Sequence, residues 1–231
     1  MRSRLRAHPD QLHLGLMLAL TFTTGIVDAV GYLGLDRVFT GNMTGNVVIL
    51  GMALTGADGL PIVGPIIALV CFMVGAAVAG RTLRNKPAGW HTRNTALFGV
   101  VGIILLVAAV PTLVVGERTD TLNFIVTGAL GLAMGMQAGA ARHIGVKDVT
   151  TVVVTSTLVG LAFDSRFGGG TGNQPWFRRA GAVVLIGAGA AVGALLIHVH
   201  VGLGMAVAAV ITIAAAVLGH IGRPHPVAAD L

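Results

Sequence analysis

The chain has 231 residues, a formal net charge of +6, 55% hydrophobic residues and only 10% charged residues. A soluble domain of this size carries about 25% charged residues, so this composition excludes an ordinary soluble enzyme and a disordered chain. The positive charge reflects a shortage of acids (9 against 15 basic residues) instead of a basic face, so nucleic acid is excluded as a partner. The composition predicts an all-α polytopic membrane protein whose surrounding partner is the lipid bilayer.

Long apolar segments predict six transmembrane helices. A helix needs about 20 mostly apolar residues to cross the hydrocarbon core of a bilayer. Arginine and lysine cluster at the N-terminus, between the second and third segments, between the fourth and fifth, and at the C-terminus, and the positive-inside rule places such clusters in the cytoplasm. We therefore expect a multi-pass inner-membrane protein with both termini in the cytoplasm. The six segments are Leu12–Leu35, Leu60–Gly80, Ala96–Gly116, Thr121–Ala141, Arg179–His198 and Val201–Gly219.

Two further apolar segments are too short to cross. Met43–Leu54 and Val149–Phe163 have 12 and 15 residues, or about 18 and 22 Å as helices. If both crossed, the basic cluster from Arg81 to Arg93 would lie outside, against the positive-inside rule. This favours two re-entrant half-helices, with full crossing as the alternative.

The two halves of the chain resemble each other. An offset of 111 residues aligns Ala29 with Ala140 and Thr44 with Thr155, and it superposes the two short segments. The repeats would cover about 11–116 and 121–221 of a single membrane domain, 1–231. Because each would contain three full crossings, the two would have inverted topology, an architecture found in secondary transporters. The alternative is that Gly-rich and Thr-rich helix ends match without any duplication.

The segment FTGNMTGN, Phe39–Asn46, directly precedes the first short helix. Thr44 is a candidate N-cap, and free amide groups at a helix N-terminus favour an anionic or polar ligand. The alternative is that the Thr and Asn side chains only satisfy backbone groups freed by a buried turn. The predicted solute-contacting residues, drawn from this segment, its repeat and the flanking spans, are Asp28, Thr24, Thr40, Asn42, Thr44, Gly45, Asn46, Gln137, Thr151 and Thr155.

Asp28 is the carboxylate placed well inside a long apolar segment. Intramembrane acids are costly and commonly functional, so we expect Asp28 to exchange a proton with a cavity. Thr24 lies one helical turn earlier on the same face and is positioned to hydrogen-bond it. The alternative is a neutral structural acid that donates to a backbone carbonyl.

No pattern supports catalysis, a cofactor or a metal. Cys71 is the single cysteine, and His198 and His200 are two residues apart, so they do not share a helix face. No phosphate-binding loop or hydrolase motif is present in the sequence. We expect a protein that is not an enzyme and needs no cofactor.

The segments around Gly25–Gly51 and Gly135–Gly160 resemble the YoaK-like family, six-span bacterial membrane proteins classed as a domain of unknown function. The first match consists of Gly25, Asp28 and Ala29, followed by Phe39 and Met43–Asn46. The second consists of Gly135 and Gln137, then Arg142 and Val149–Thr155, and it departs where Ser156 replaces a more usual glycine. The resemblance implies an integral inner-membrane protein and no particular activity.

These observations favour a secondary transporter or permease for a small polar or anionic solute. Its site would lie at mid-membrane where the two half-helix N-termini meet, with proton coupling through Asp28 as an option. The competing hypothesis is a non-transporting membrane scaffold or assembly protein. The sequence also leaves homo-oligomerisation open.

Overall fold

A computed structural model describes residues 9–57, 59–114, 119–146, 154–171 and 176–223. Within these ranges the chain is helical and has no β-strand. The helices are α1 (Pro9–Ala29), α2 (Met43–Leu54), α3 (Val63–Leu83), α4 (Thr92–Val114), α5 (Asp120–Ile144), α6 (Val154–Phe163), α7 (Trp176–Val199) and α8 (Val201–Gly222). Helix α1 continues through a π-helical turn, Val30–Gly34, and a short 3-10 turn, Arg166–Gly168, follows α6.

Six of these helices, α1 with its π turn, α3, α4, α5, α7 and α8, are long and apolar enough to cross a membrane. The chain is therefore a polytopic membrane protein, as predicted. The first short helix has the predicted bounds, Met43–Leu54. The second begins at Val154 and ends at the predicted Phe163, and positions 149–153 lie outside the described residues.

The helix ends follow ordinary capping chemistry. The Thr119 hydroxyl accepts a hydrogen bond from the N–H of Leu122 (3.3 Å) and so begins α5. Gly145 ends the same helix in the left-handed conformation (φ 71°), and its N–H donates to the carbonyl of Ala141 (3.2 Å). Glycine suits this position because a side chain would be strained at positive φ.

Helices α1 and α5 carry most of the polar side chains buried inside the bundle. Thr24 and Asp28 of α1 and Thr127 and Gln137 of α5 are all buried. In contrast, α3 and α7 expose large apolar side chains, including Val70, Met73, Val184 and Leu195. A soluble protein would hide such surface, so these outward faces are suited to lipid.

The most extensive helix contacts are α3 with α5, α4 with α8, and α1 with α7. Glycines make two of these crossings tight. A Cβ on Gly25 of α1 would overlap the carbonyl oxygen of Ile186, and one on Gly189 of α7 would overlap that of Phe22. Close approach of backbones through small residues is the usual way that transmembrane helices associate.

The crossing of α3 with α5 is built in the same way. A Cβ on Gly75 of α3 would overlap the carbonyl oxygen of Leu132, and a Cβ on Gly135 of α5 would overlap that of Phe72. Each crossing therefore uses one glycine from each helix, set against the partner's backbone.

We predict that Gly135→Ala and Gly189→Ala each destabilise the protein by about 1–3 kcal/mol, because the added methyl group must push two backbones apart. Gly80→Ala is the matched control, since a Cβ at Gly80 meets no atom within 4 Å and alanine favours a helix. Thermal melting of the detergent-solubilised variants measures the difference. Equal melting temperatures for the three variants would show that the helix backbones are not in contact at these crossings.

Candidate functional site

The chain turns back along α1 after the π turn. The N–H of Val38 donates to the carbonyl of Gly31 (3.3 Å), and a Cβ on Gly31 would overlap the carbonyl oxygen of Val38. Only glycine therefore allows the returning chain to lie this close to α1. The return brings the backbone of Thr40 and Gly41 to Asp28, two residues before the π turn.

The Asp28 carboxylate binds the backbone of residues 38–42, the returning segment. Its Oδ1 accepts hydrogen bonds from the N–H groups of Thr40 (2.9 Å), Gly41 (2.6 Å) and Asn42 (3.4 Å). The side chain is buried, and residues 38–42 are not helical, so these three N–H groups receive no helical partner. The acid of α1 therefore satisfies three backbone N–H groups that would be costly to leave unpaired beside a buried side chain.

Asn46 holds the same segment from the other side. Its Oδ1 accepts from the N–H of Phe39 (2.9 Å), and its Nδ2 donates to the Phe39 carbonyl (2.6 Å). Asn46 is completely buried. Asn42 is the N-cap of α2, with its Oδ1 accepting from the N–H of Gly45 (3.2 Å). The structure thus gives the cap to Asn42, whereas the sequence analysis placed it at Thr44, two residues too late.

A cavity of about 760 Å³ lies beside Asp28. Helices α1, α2, α6 and α7 and the returning segment form its walls. Both short helices begin at it, α2 with Thr44 and Gly45 and α6 with Val154 and Thr155. The lining residues are Thr24, Gly25, Asp28, Tyr32, Phe39, Gly41, Asn42, Thr44, Gly45, Val48, Ile49, Val154, Thr155, Ile186, Gly187 and Ala190.

The cavity brings together six of the ten predicted site residues, namely Asp28, Thr24, Asn42, Thr44, Gly45 and Thr155. Thr40 and Asn46 are completely buried and are absent from the lining. Thr151 lies outside the described residues.

Gln137 is placed behind the cavity wall. Its Nε2 donates to the Thr24 hydroxyl (3.1 Å) and to the Leu20 carbonyl (3.3 Å), so it ties α5 to α1. The Thr24 hydroxyl itself donates to the Leu20 carbonyl (2.9 Å). Thr24 is therefore the link between Gln137 and the cavity, and Gln137 positions Thr24.

Sequence reasoning missed an aromatic pair and one apolar wall. Tyr32 and Phe39 stack with ring centroids 4.8 Å apart, and both line the cavity. Tyr32 lies four residues after Asp28, on the same helix face, so that spacing was an available signal. Ile186, Gly187 and Ala190 of α7 carry no such signal, because their role depends on how α7 packs against α1.

The charge of the cavity is one-sided. Among the described residues, Asp28 is the only carboxylate in the lining, and no Lys, Arg or His lines the cavity. The described part of the chain contains no cluster of three His, Cys, Asp or Glu side chains that could hold a metal ion.

Asp36 lies in the connection after the π turn and does not line the cavity. Partial burial raises the pKa of its carboxyl, and the nearby charge of Asp120 raises it further, whereas the charge of Arg37 lowers it.

Comparison with known proteins places the chain in a family. A family model described as a protein of unknown function, DUF1275, matches residues 16–218. The chain belongs to this family. The UPF0700 transmembrane protein YoaK of Bacillus subtilis (strain 168) is 32% identical over 150 residues, covering 64% of this chain and 65% of YoaK. The match thus spans a little less than two thirds of that relative, and no solved structure matches the chain.

The resemblance drawn from Gly25–Gly51 and Gly135–Gly160 is confirmed by this membership. Both segments fall within the matched residues. The first contains Asp28 and the returning segment that it binds, so the residues that carry the DUF1275 resemblance also build one wall of the cavity.

We predict that Asn46→Leu destabilises the protein far more than Asn42→Ala. Leucine would leave both the N–H and the carbonyl of Phe39 unpaired, at about 1–3 kcal/mol for each buried group. Loss of an N-cap costs about 1 kcal/mol, and Asn42 is exposed. Thermal unfolding in detergent ranks the two variants. The reverse order would mean that Asn46 does not hold the returning segment.

Proposed function

We propose that this protein is a secondary transporter or permease for a small polar solute, and that the solute binds in the cavity beside Asp28. The observation that carries the proposal is that two short helices begin at one cavity that also contains a buried acid. Interrupted helices that meet at a central site are a recurring feature of secondary transporters. The cavity also has the size of a small-molecule site, about 300–1,000 Å³.

The packing supports an inverted repeat. If α1 corresponds to α5 and α3 to α7, the contact of α1 with α7 corresponds to that of α5 with α3. The glycines fit this correspondence. Gly25 of α1 corresponds to Gly135 of α5, and Gly75 of α3 corresponds to Gly189 of α7; each lies against a carbonyl oxygen of the partner helix. The separations are 110 residues for the first pair and 114 for the second, against the 111 of the sequence alignment.

The connections around α2 support a re-entrant segment. Arg37 lies before the returning segment, and its Nη1 donates to the carbonyl of Gly59, just after α2 (3.1 Å). The chain therefore runs from Arg37 to Asp28 and returns through α2 to Gly59, at the same end of the bundle. At the end of α6, Asp164 pairs with Arg179 in the first turn of α7 (2.6 Å), which is the arrangement expected for a second re-entrant segment.

We predict that cysteine labelling places the loop containing Arg84 in the cytoplasm and Thr119 outside, in an inner membrane with both termini cytoplasmic. The background variant is Cys71→Ala, which removes the single native cysteine. A membrane-impermeant maleimide added to spheroplasts should label Thr119→Cys and not Arg84→Cys. The opposite result would contradict the proposed topology.

We predict that a transporter cavity is reached from both sides of the membrane in turn. Thr44→Cys and Thr155→Cys, each in the Cys71→Ala background, should react with an impermeant methanethiosulfonate reagent in right-side-out and in inside-out vesicles. Reaction from one side only, or from neither, would contradict transport and favour the scaffold.

The scaffold alternative is supported by a specific observation. Asp28 already accepts three backbone N–H groups, so its presence is explained without a solute. An enzymatic role has no catalytic pair to support it in the described lining. We therefore keep the scaffold as the second candidate and propose no catalysis.

Proton coupling through Asp28 is part of the proposal. Asp28 and Tyr32 are the titratable groups in the described lining, and an ordinary tyrosine titrates only at about pH 10, so a pH dependence at lower pH would be assigned to Asp28. We predict that the labelling rate of Thr44→Cys depends on pH beyond the titration of the thiol itself, and that Asp28→Asn removes this extra dependence. Asp28→Leu should fail to fold, because leucine accepts none of the three N–H groups. An unchanged pH profile in Asp28→Asn would make Asp28 purely structural.

A further inference from the structure

The sequence left open an anionic solute, because a helix N-terminus offers free amide groups. In the structure the amides of Thr40, Gly41 and Asn42 are directed at Asp28, so they are not free for an anion. The described lining adds one acid and no basic side chain. Among the described lining side chains, an anion would meet the like charge of Asp28 and no compensating cation, in a medium where such interactions are strong.

The α1 wall of the cavity offers mainly hydrogen-bond acceptors. Thr24 uses its hydroxyl proton on the Leu20 carbonyl and accepts from Gln137, so only a lone pair remains for a solute. The Asp28 carboxylate is an acceptor when ionised, and the three N–H groups at Oδ1 stabilise that charge. The complementary solute group is therefore a donor with positive charge.

The remaining walls fit an organic body. Val48, Ile49, Val154 and Ile186 supply apolar surface, and Tyr32 and Phe39 supply aromatic rings. Aromatic faces attract ammonium groups. A bare metal ion would find no cluster of three acidic or His/Cys ligands in the described part of the chain.

We infer that the cavity takes an amphipathic organic cation, with its ammonium group at Asp28 and its apolar part against α2, α6 and α7. This inference rests on the proposal that the cavity is a solute site, and it names the chemical class of the solute.

The test uses three probes of similar shape and different charge: phenethylammonium, neutral 2-phenylethanol and anionic 3-phenylpropanoate. Their binding to the purified protein in detergent is measured by isothermal titration calorimetry. We expect phenethylammonium to bind at least about tenfold more tightly than either control, since a charge-assisted hydrogen bond is worth roughly that factor or more. Preferential binding of the anion, or equal binding of all three probes, would overturn the inference.

Two variants assign the binding to this cavity. Asp28→Asn should weaken the binding of phenethylammonium by about tenfold or more, and that of 2-phenylethanol much less, because asparagine still accepts a hydrogen bond but carries no charge. Gly187→Leu should block all three probes, because Gly187 lines the cavity and a Cβ there meets no atom within 4 Å. Gly80→Leu is the matched control at an exposed position and should bind as the parent does. Binding of phenethylammonium that survives both Asp28→Asn and Gly187→Leu would place it elsewhere and refute the inference.

The outcomes also separate this inference from the proposed function. If phenethylammonium binds selectively but Thr44→Cys and Thr155→Cys are labelled from one side only, the cavity is a cation site in a protein that does not transport. If the two cysteines are labelled from both sides but 3-phenylpropanoate binds most tightly, the protein is a transporter of anions and not of cations.

Discussion

The returning segment is held first by the carboxylate of Asp28, which accepts three of its backbone N–H groups. Non-helical backbone inside a bilayer is tolerated only where its polar groups find partners, since each unpaired group costs several kcal/mol. Asp28 supplies the partner for the N–H groups, and Asn46 supplies partners for both backbone groups of Phe39. Without these two side chains, the N–H groups of residues 39–42 and the carbonyl of Phe39 would lose these partners.

The cavity exists because tight and open contacts lie next to each other on the same helices. Gly25 and Gly189 hold α1 and α7 in backbone contact, whereas Gly187, two residues earlier on α7, faces open space. A helix turns about 100° per residue, so residues two apart on α7 face different directions. One direction meets α1 closely and the other leaves the cavity between α7 and the short helices. Small residues therefore both fix the bundle and make room inside it.

The sequence predicts the helices well because crossing a membrane demands length and apolarity, which are local properties. Met43–Leu54 was bounded correctly, and Asp28 was identified by the cost of an acid in an apolar segment. The roles of Asn46 and Gln137 could not be read in this way. Asn46 acts on Phe39 seven residues away, and Gln137 acts on Thr24 across 113 residues. Likewise, Ile186 and Ala190 line the cavity only because two glycines bring α7 against α1.

Asp28 links the occupancy of the cavity to the position of the returning segment. Under the proposed function, a proton or an ammonium group at Asp28 would draw on the same negative charge that holds the N–H groups of residues 40–42. Either would weaken those hydrogen bonds and loosen α2, which begins directly after them. A purely structural acid would be better served by a site without a cavity, because water access weakens its hydrogen bonds. The lining position of Asp28 therefore favours the proposed transport function over the scaffold.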